Sequence, residues 1–178
     1  VDANDHNVNA LEVAIDEDCT HIIARRQPTA SDLRMVMMVV KTITDLERIG
    51  DEAKKIAKMA RGIHSGDIRV VPSVDLRAPA DIAVSMLRKA LDAFARLDVN
   101  ASAEVVRQDR EVDAGFKAAM RQLITYMMED PRTISSSLDL LFVARSIERI
   151  GDHAKNISEY VVYLVKGRDV RHIGLEAM

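Results

Sequence analysis

Apolar residues recur every three or four positions along most of this chain, the spacing of helices that bury one face. Residues 2–26 carry Val8, Leu11, Ile15, Cys19 and Ile22 in such a stripe, and Pro28 ends the run. Thr29 and Ser31 are candidate N-caps for a longer helix over 30–61, with Asp32 in its first turn and Gly62 as a natural stop. Its stripe runs Leu33, Val36, Met37, Val40, Ile43, Leu46, Ile49, Ala53, Ile56 and Ala60. Residues 62–79 hold two Gly and two Pro without a helical period, which reads as a connection with a short extended piece at 68–71. A third helix follows Pro79, with Ala83, Leu87, Ala90, Phe94 and Leu97 on one face, and Asn100 and Ser102 mark a turn. A fourth helix over 102–129 shows Val105, Val112, Phe116, Ala119, Leu123 and Met127 before Asp130-Pro131 breaks it. The last, over 132–166, shows Leu138, Leu141, Ile147, Ile150, Ala154, Ile157, Val161 and Leu164; Gly167 ends it and 168–178 form a tail. The expected fold class is all-α.

Within that pattern one stretch occurs twice. Glu47-Arg48-Ile49-Gly50-Asp51 returns as Glu148-Arg149-Ile150-Gly151-Asp152, and eight of thirteen positions are identical between 45–57 and 146–158. A long match at a fixed offset is an internal repeat. Helices four and five then correspond to helices one and two, and helix three has no counterpart before Val1. The expectation is a tandem repeat of three-helix bundles, 1–66 and 67–178, the first lacking its first helix. The alternative is a first half that simply has two helices.

Composition narrows the function. The chain of 178 residues is 48% hydrophobic and 30% charged, enough for a buried core and unlike a disordered tail. A net charge of −3, with no Trp and no basic stripe, argues against a nucleic-acid binder. The single Cys19 excludes an intrachain disulfide, sits on an apolar face as a buried, inert thiol and suits a reducing, cytoplasmic setting. The longest apolar run, Met35–Val40, falls far short of the roughly 20 residues that cross a bilayer. No signal peptide is visible; because the chain begins at Val1, a targeting segment stays open.

The candidate chemistry is carried by carboxylates. Glu47 and Asp51, and Glu148 and Asp152, lie one helical turn apart, where like charges repel by roughly 0.2–0.5 kcal/mol unless a cation bridges them. Helix one opens with Asp5-x-x-x-Asn9 and helix four carries Asp109-x-x-x-Asp113, preceding the repeated motif by 42 and 39 residues. In antiparallel hairpins these pairs come opposite one another. The carboxylates sit at the shoulder of the apolar stripe, and Asp109 falls on it, so each needs a positive partner. Arg48, Arg149, Lys54 and Lys155 are one set of candidates; a hard metal ion held by oxygens is the other. Gly50 and Gly151, on the core stripe, suggest close helix approach. His153 reads as surface pairing in preference to a metal ligand, since Glu52 takes its place in the first repeat.

The sequence resembles the PhoU family through DLERIGDEAKKIAKMA, SIERIGDHAKNISEYVVYLVKG, RQPTASDLR and DPRTISSSLDLLFVARS, over nearly the whole chain. The resemblance implies paired three-helix bundles that bind metal clusters through the Glu-x-x-x-Asp motifs. By position, Asp5, Asn9, Glu47 and Asp51 form one metal site, and Asp109, Asp113, Glu148 and Asp152 the other. Iron is the metal the family suggests, with Mg, Mn, Ca and Zn as alternatives. It implies a negative regulator of phosphate uptake and the phosphate-starvation response, dimeric, working with a phosphate ABC transporter and a phosphate-sensing histidine kinase. It would reach the membrane only through those partners.

No Gly-rich phosphate loop, nucleophile elbow or catalytic triad is present, so a regulatory adaptor is favoured over an enzyme. A carboxylate-bridged metalloenzyme would need Glu-x-x-His pairs on facing helices, and the chain has none. A purely structural helical module is the remaining alternative.

Overall fold

The structure, a computed structural model, describes the backbone of residues 2–65 and 70–167 and side chains from 6 to 64 and 70 to 167. Five helices follow in order: α1 (Asp2–Arg26), α2 (Ala30–Ser65), α3 (Arg77–Arg96), α4 (Val99–Glu129) and α5 (Ile134–Lys166), with a 3-10 turn at Pro131–Thr133. The fold is all-α, and no strand occurs among the described residues. The extended piece expected at 68–71 lies partly outside them, and the tail at 168–178 wholly so.

The helix ends differ from the sequence reading for local reasons. α2 runs through Gly62 to Ser65, because an exposed glycine weakens a helix by about 1 kcal/mol without forcing it to stop. α3 starts before Pro79, whose missing N–H falls in the first turn where no helical partner is needed. The turn expected at Asn100–Ser102 is instead the first turn of α4. Leu97 closes α3 in the left-handed region (φ 54°), and the Asp98 carboxylate then accepts from the N–H groups of Asn100 (2.9 Å) and Ala101 (3.0 Å).

Among the described residues, α3, α4 and α5 pack on one another, α1 packs on α2 alone, and α2 lies against α5. The common core is built from Met86, Ala90, Val105, Val112, Ile147, Ala154 and Ile157, with Ile49 reaching in from α2. Small residues at Ala83, Ala90 and Ala93 let α3 sit close to its neighbours. Two stripes come out differently from the sequence reading. Among the described residues of α1 only Cys19 is buried, while Leu11 and Ile22 are exposed, because α2 is the one described helix that α1 meets. On α2 the buried residues include Met38, Thr42, Asp45, Ile49 and Glu52, also at spacings of three and four, and beside them Ile43, whereas Leu33 and Met37 are exposed. The innermost face of α2 is therefore turned towards α5, and it is partly polar.

Candidate metal centre and the seam behind it

The two glycines of the repeated motif set the register of each helix pair. A Cβ on Gly151 would lie 3.4 Å from Val112 Cγ1 and 3.7 Å from Asp109 Oδ1; one on Gly50 would lie 3.9 Å from Val8 Cγ1. Val112 stands between Asp109 and Asp113 in sequence, as Val8 stands between Asp5 and Asn9. The same contact is thus made twice, and it aligns α1 on α2 as α4 is aligned on α5.

In the second half this register gathers acid. Asp109 is 4% exposed and Glu148 9%, while Asp113 and Asp152 are half-buried. The carboxyl pKa of Glu148 is raised by burial first, then by the charges of Asp152, Asp113 and Asp109, with Arg145 opposing. That of Asp152 is raised by burial, then by Asp109 and Asp113, with Lys155 and Arg145 opposing. Groups on α4 and α5 therefore share one electrostatic site. Two cations meet it. Lys155 Nζ donates to Asp109 Oδ2 at 2.8 Å, and Arg145 donates to Glu148 Oε1 while its guanidinium lies over the Phe116 ring. Two cations against four carboxylates leave charge uncompensated, and Glu148 Oε2 is buried without a hydrogen-bond partner. All the donors are carboxylate oxygens, which suit a hard cation. Among the described residues, no three His, Cys, Asp or Glu side chains converge closely enough to hold one ion together.

The first half is less fully described. Glu47 and Asp51 are half-buried on α2 and Asn9 is exposed on α1; the side chain of Asp5 lies outside the described residues.

Sequence reasoning missed a second polar cluster, on the opposite side of α5. Asp45, 2% exposed, accepts from the Tyr160 hydroxyl at 2.8 Å, pairs with His153 Nδ1 at 2.7 Å and lies 3.4 Å from Asn156 Nδ2. His153 is thus not a surface residue: it is 7% exposed, between α2 and α5. Glu52, also 2% exposed, is met by Arg149 at 2.9 Å and Lys55 at 3.0 Å and hydrogen-bonded by Ser146. Burial alone would raise its pKa; Lys55, Ser146 and Arg149 together lower it. By the repeat, Ser146 stands for Asp45 and His153 for Glu52. Residue 45 meets 153 and residue 52 meets 146, the signature of an approximate two-fold between α2 and α5. The signal was present in the sequence: Met38, Thr42, Asp45, Ile49 and Glu52 form a continuous 3-4 stripe.

A family model described as PhoU domain matches residues 1–60 and 76–161. The phosphate-specific transport system accessory protein PhoU homolog of Pseudomonas putida is 51% identical over 174 residues, covering 98% of this chain and 68% of that protein. The crystal structure of PhoU from Pseudomonas aeruginosa is 47% identical with a TM-score of 0.87, over 92% of this chain and 78% of that one. The phosphate transport system regulatory protein PhoU from Streptococcus pneumoniae is 28% identical, with a TM-score of 0.84 over 94% and 78% of the two chains.

Proposed function

Because the chain belongs to the PhoU family, we propose that it is a metal-binding regulatory adaptor that restrains phosphate uptake and the phosphate-starvation response. The accessory role in phosphate transport is carried by the similarity to the Pseudomonas putida accessory protein over 98% of the chain. The finer reading adds a phosphate ABC transporter and a phosphate-sensing histidine kinase as partners, a homodimer as the working form and the cytoplasmic side of the membrane as its place. Among the described residues no helix is long and apolar enough to cross a membrane. Relatives named accessory and regulatory proteins support an adaptor in preference to an enzyme. Within this reading residues 1–66 and 67–178 are the two repeats.

The metal part of the proposal is supported by Glu148 Oε2, a buried acceptor left without a donor among mutually repelling carboxylates. Asp109, Asp113, Glu148 and Asp152 would hold an ion in the second half, and Asp5, Asn9, Glu47 and Asp51 in the first. Iron is proposed from the family resemblance, and the all-oxygen donor set suits Mg²⁺, Mn²⁺ or Ca²⁺ equally. When bound, the ion would neutralise the acidic groove and tie α4 to α5. Gly151 leaves the space beside Asp109 open, and Val112 keeps the two carboxylates of α4 on the side facing α5.

Elemental analysis of the purified chain, beside a Glu47→Ala/Glu148→Ala variant, tests the metal assignment; equal metal content in both would end it. Capture of the transporter ATPase and of the cytoplasmic part of the kinase tests the partners; retention of neither would remove them.

A further inference from the structure

The acidic groove between α4 and α5 already contains a positive group seated on one of its own carboxylates. Lys155 Nζ lies 2.8 Å from Asp109 Oδ2, and the Lys155 side chain is 35% exposed against 6% for Asp109. One end of this pair is thus fixed in the core and the other lies towards water. Arg145 behaves differently. It is 52% exposed, bonds only Oε1 of Glu148 and leaves Oε2 unpartnered. A cation bonded to Oε2 of Glu148 need not displace Arg145 from Oε1. To bond the Lys155-bound oxygen of Asp109 it must compete with the ammonium.

Resting on the reading of this groove as a metal site, we infer that Lys155 is a built-in competitor of the metal. Its ammonium holds Asp109 in the metal-free protein and must leave when a divalent cation enters. The exchange is one of ion pairs; no covalent bond forms or breaks. Asp152, one turn earlier on α5, also feels the Lys155 charge, so a departing ammonium exposes two carboxylates to the ion at once. Lys155 then sets the cation concentration at which the groove fills, and its stem gives it a path to solvent.

The test is calorimetric titration of Mn²⁺ into the metal-stripped full chain. Lys155→Met is expected to bind Mn²⁺ about tenfold more tightly than wild type, since one unit positive charge at contact distance has gone. Lys89→Met is the control: it removes the same charge from an exposed lysine that donates to the neutral Gln108, and should bind as wild type does. Melting gives a second readout. Metal-free Lys155→Met should melt below wild type, and added Mn²⁺ should raise its melting temperature by the larger amount. If that variant folds poorly, Lys155→Gln, which keeps a donor for Asp109 without the charge, should show the same tighter binding. Unchanged or weaker binding in both Lys155 variants, with wild-type binding abolished by Glu148→Ala, overturns the competitor and leaves the site standing. No Mn²⁺ binding by wild type or by either Lys155 variant overturns both.

Discussion

Asp45→Ala is the most demanding perturbation the seam offers. The carboxylate is 2% exposed and serves His153 and Tyr160, which are 7% and 8% exposed. Truncation leaves the Tyr160 hydroxyl and His153 Nδ1 without their acceptor, and His153 Nε2 already lacks a partner. Each buried group that loses its acceptor costs about 1–3 kcal/mol, so the two together cost about 2–6 kcal/mol. A loss of about 4 kcal/mol lowers the melting temperature of a chain this size by roughly 10 °C. Asp45→Asn, which keeps the shape and one acceptor, should lose about half as much. The assay is far-UV circular dichroism melting in chelator at neutral pH, repeated in urea to check that the slope with denaturant is unchanged. A cycle with His153→Leu isolates the pair: the double variant should lose less than the sum of the singles. If Asp45→Ala melts within about 2 °C of wild type, or the two losses simply add, the seam is not held as described.

Three further outcomes follow from the same geometry. Glu148 and Asp152 have pKa values raised above 4.5 and 3.8, so their contribution to stability is complete below those values and lost as pH rises through the raised ones. In chelator the melting temperature should therefore climb as pH falls from neutral through the raised pKa values towards the ordinary carboxylate range, and Glu148→Gln/Asp152→Asn should flatten the climb. Glu52, whose pKa is lowered, contributes stability above 4.5 that is lost as pH falls through the lowered value, so stronger acid should reverse the trend. Leu123→Ala, at a fully buried position, should cost about 2–5 kcal/mol in urea unfolding. Met128→Ala, at an 81% exposed one, should stay within about 0.5 kcal/mol of wild type. Gly151→Ala adds a methyl 3.4 Å from Val112, an ordinary contact, and should stay within about 1 kcal/mol of wild type. Gly151→Leu should melt lower, because its side chain extends into the space that Val112 and Asp109 occupy.

How far the fold could be read in advance depended on which neighbour each helix found. The stripes of α4 and α5 were more legible because those helices lie in a three-helix unit and bury most of what periodicity marks: Val105, Val112, Leu123, Ile147, Ala154 and Ile157 are buried, while Leu138, near the start of α5, is exposed. Those of α1 and α2 were less so. Leu11, Ile22, Leu33 and Met37 look like core residues and are exposed, since no described helix lies over them. The acids of the second half were placed correctly on facing helices, because a duplicated spacing carries geometry. What escaped was the seam. Asp45, Glu52 and His153 look like surface residues one at a time, and burial gives them meaning only in pairs contributed by two helices 108 positions apart from Asp45 to His153. Helix ends were misread where one capping side chain decided them, as Asp98 does for α4.

The cross-matched seam also limits what each half can associate with. Asp45 faces His153 and Glu52 faces Ser146 only because the two halves differ. Were two copies of the α1–α2 hairpin to meet through this face, Asp45 would confront Glu52 twice, acid against acid in a dry contact. The hairpin is thereby discouraged from exchanging partners with its own kind while the chain is being made, and is left to wait for the α5 that emerges behind it.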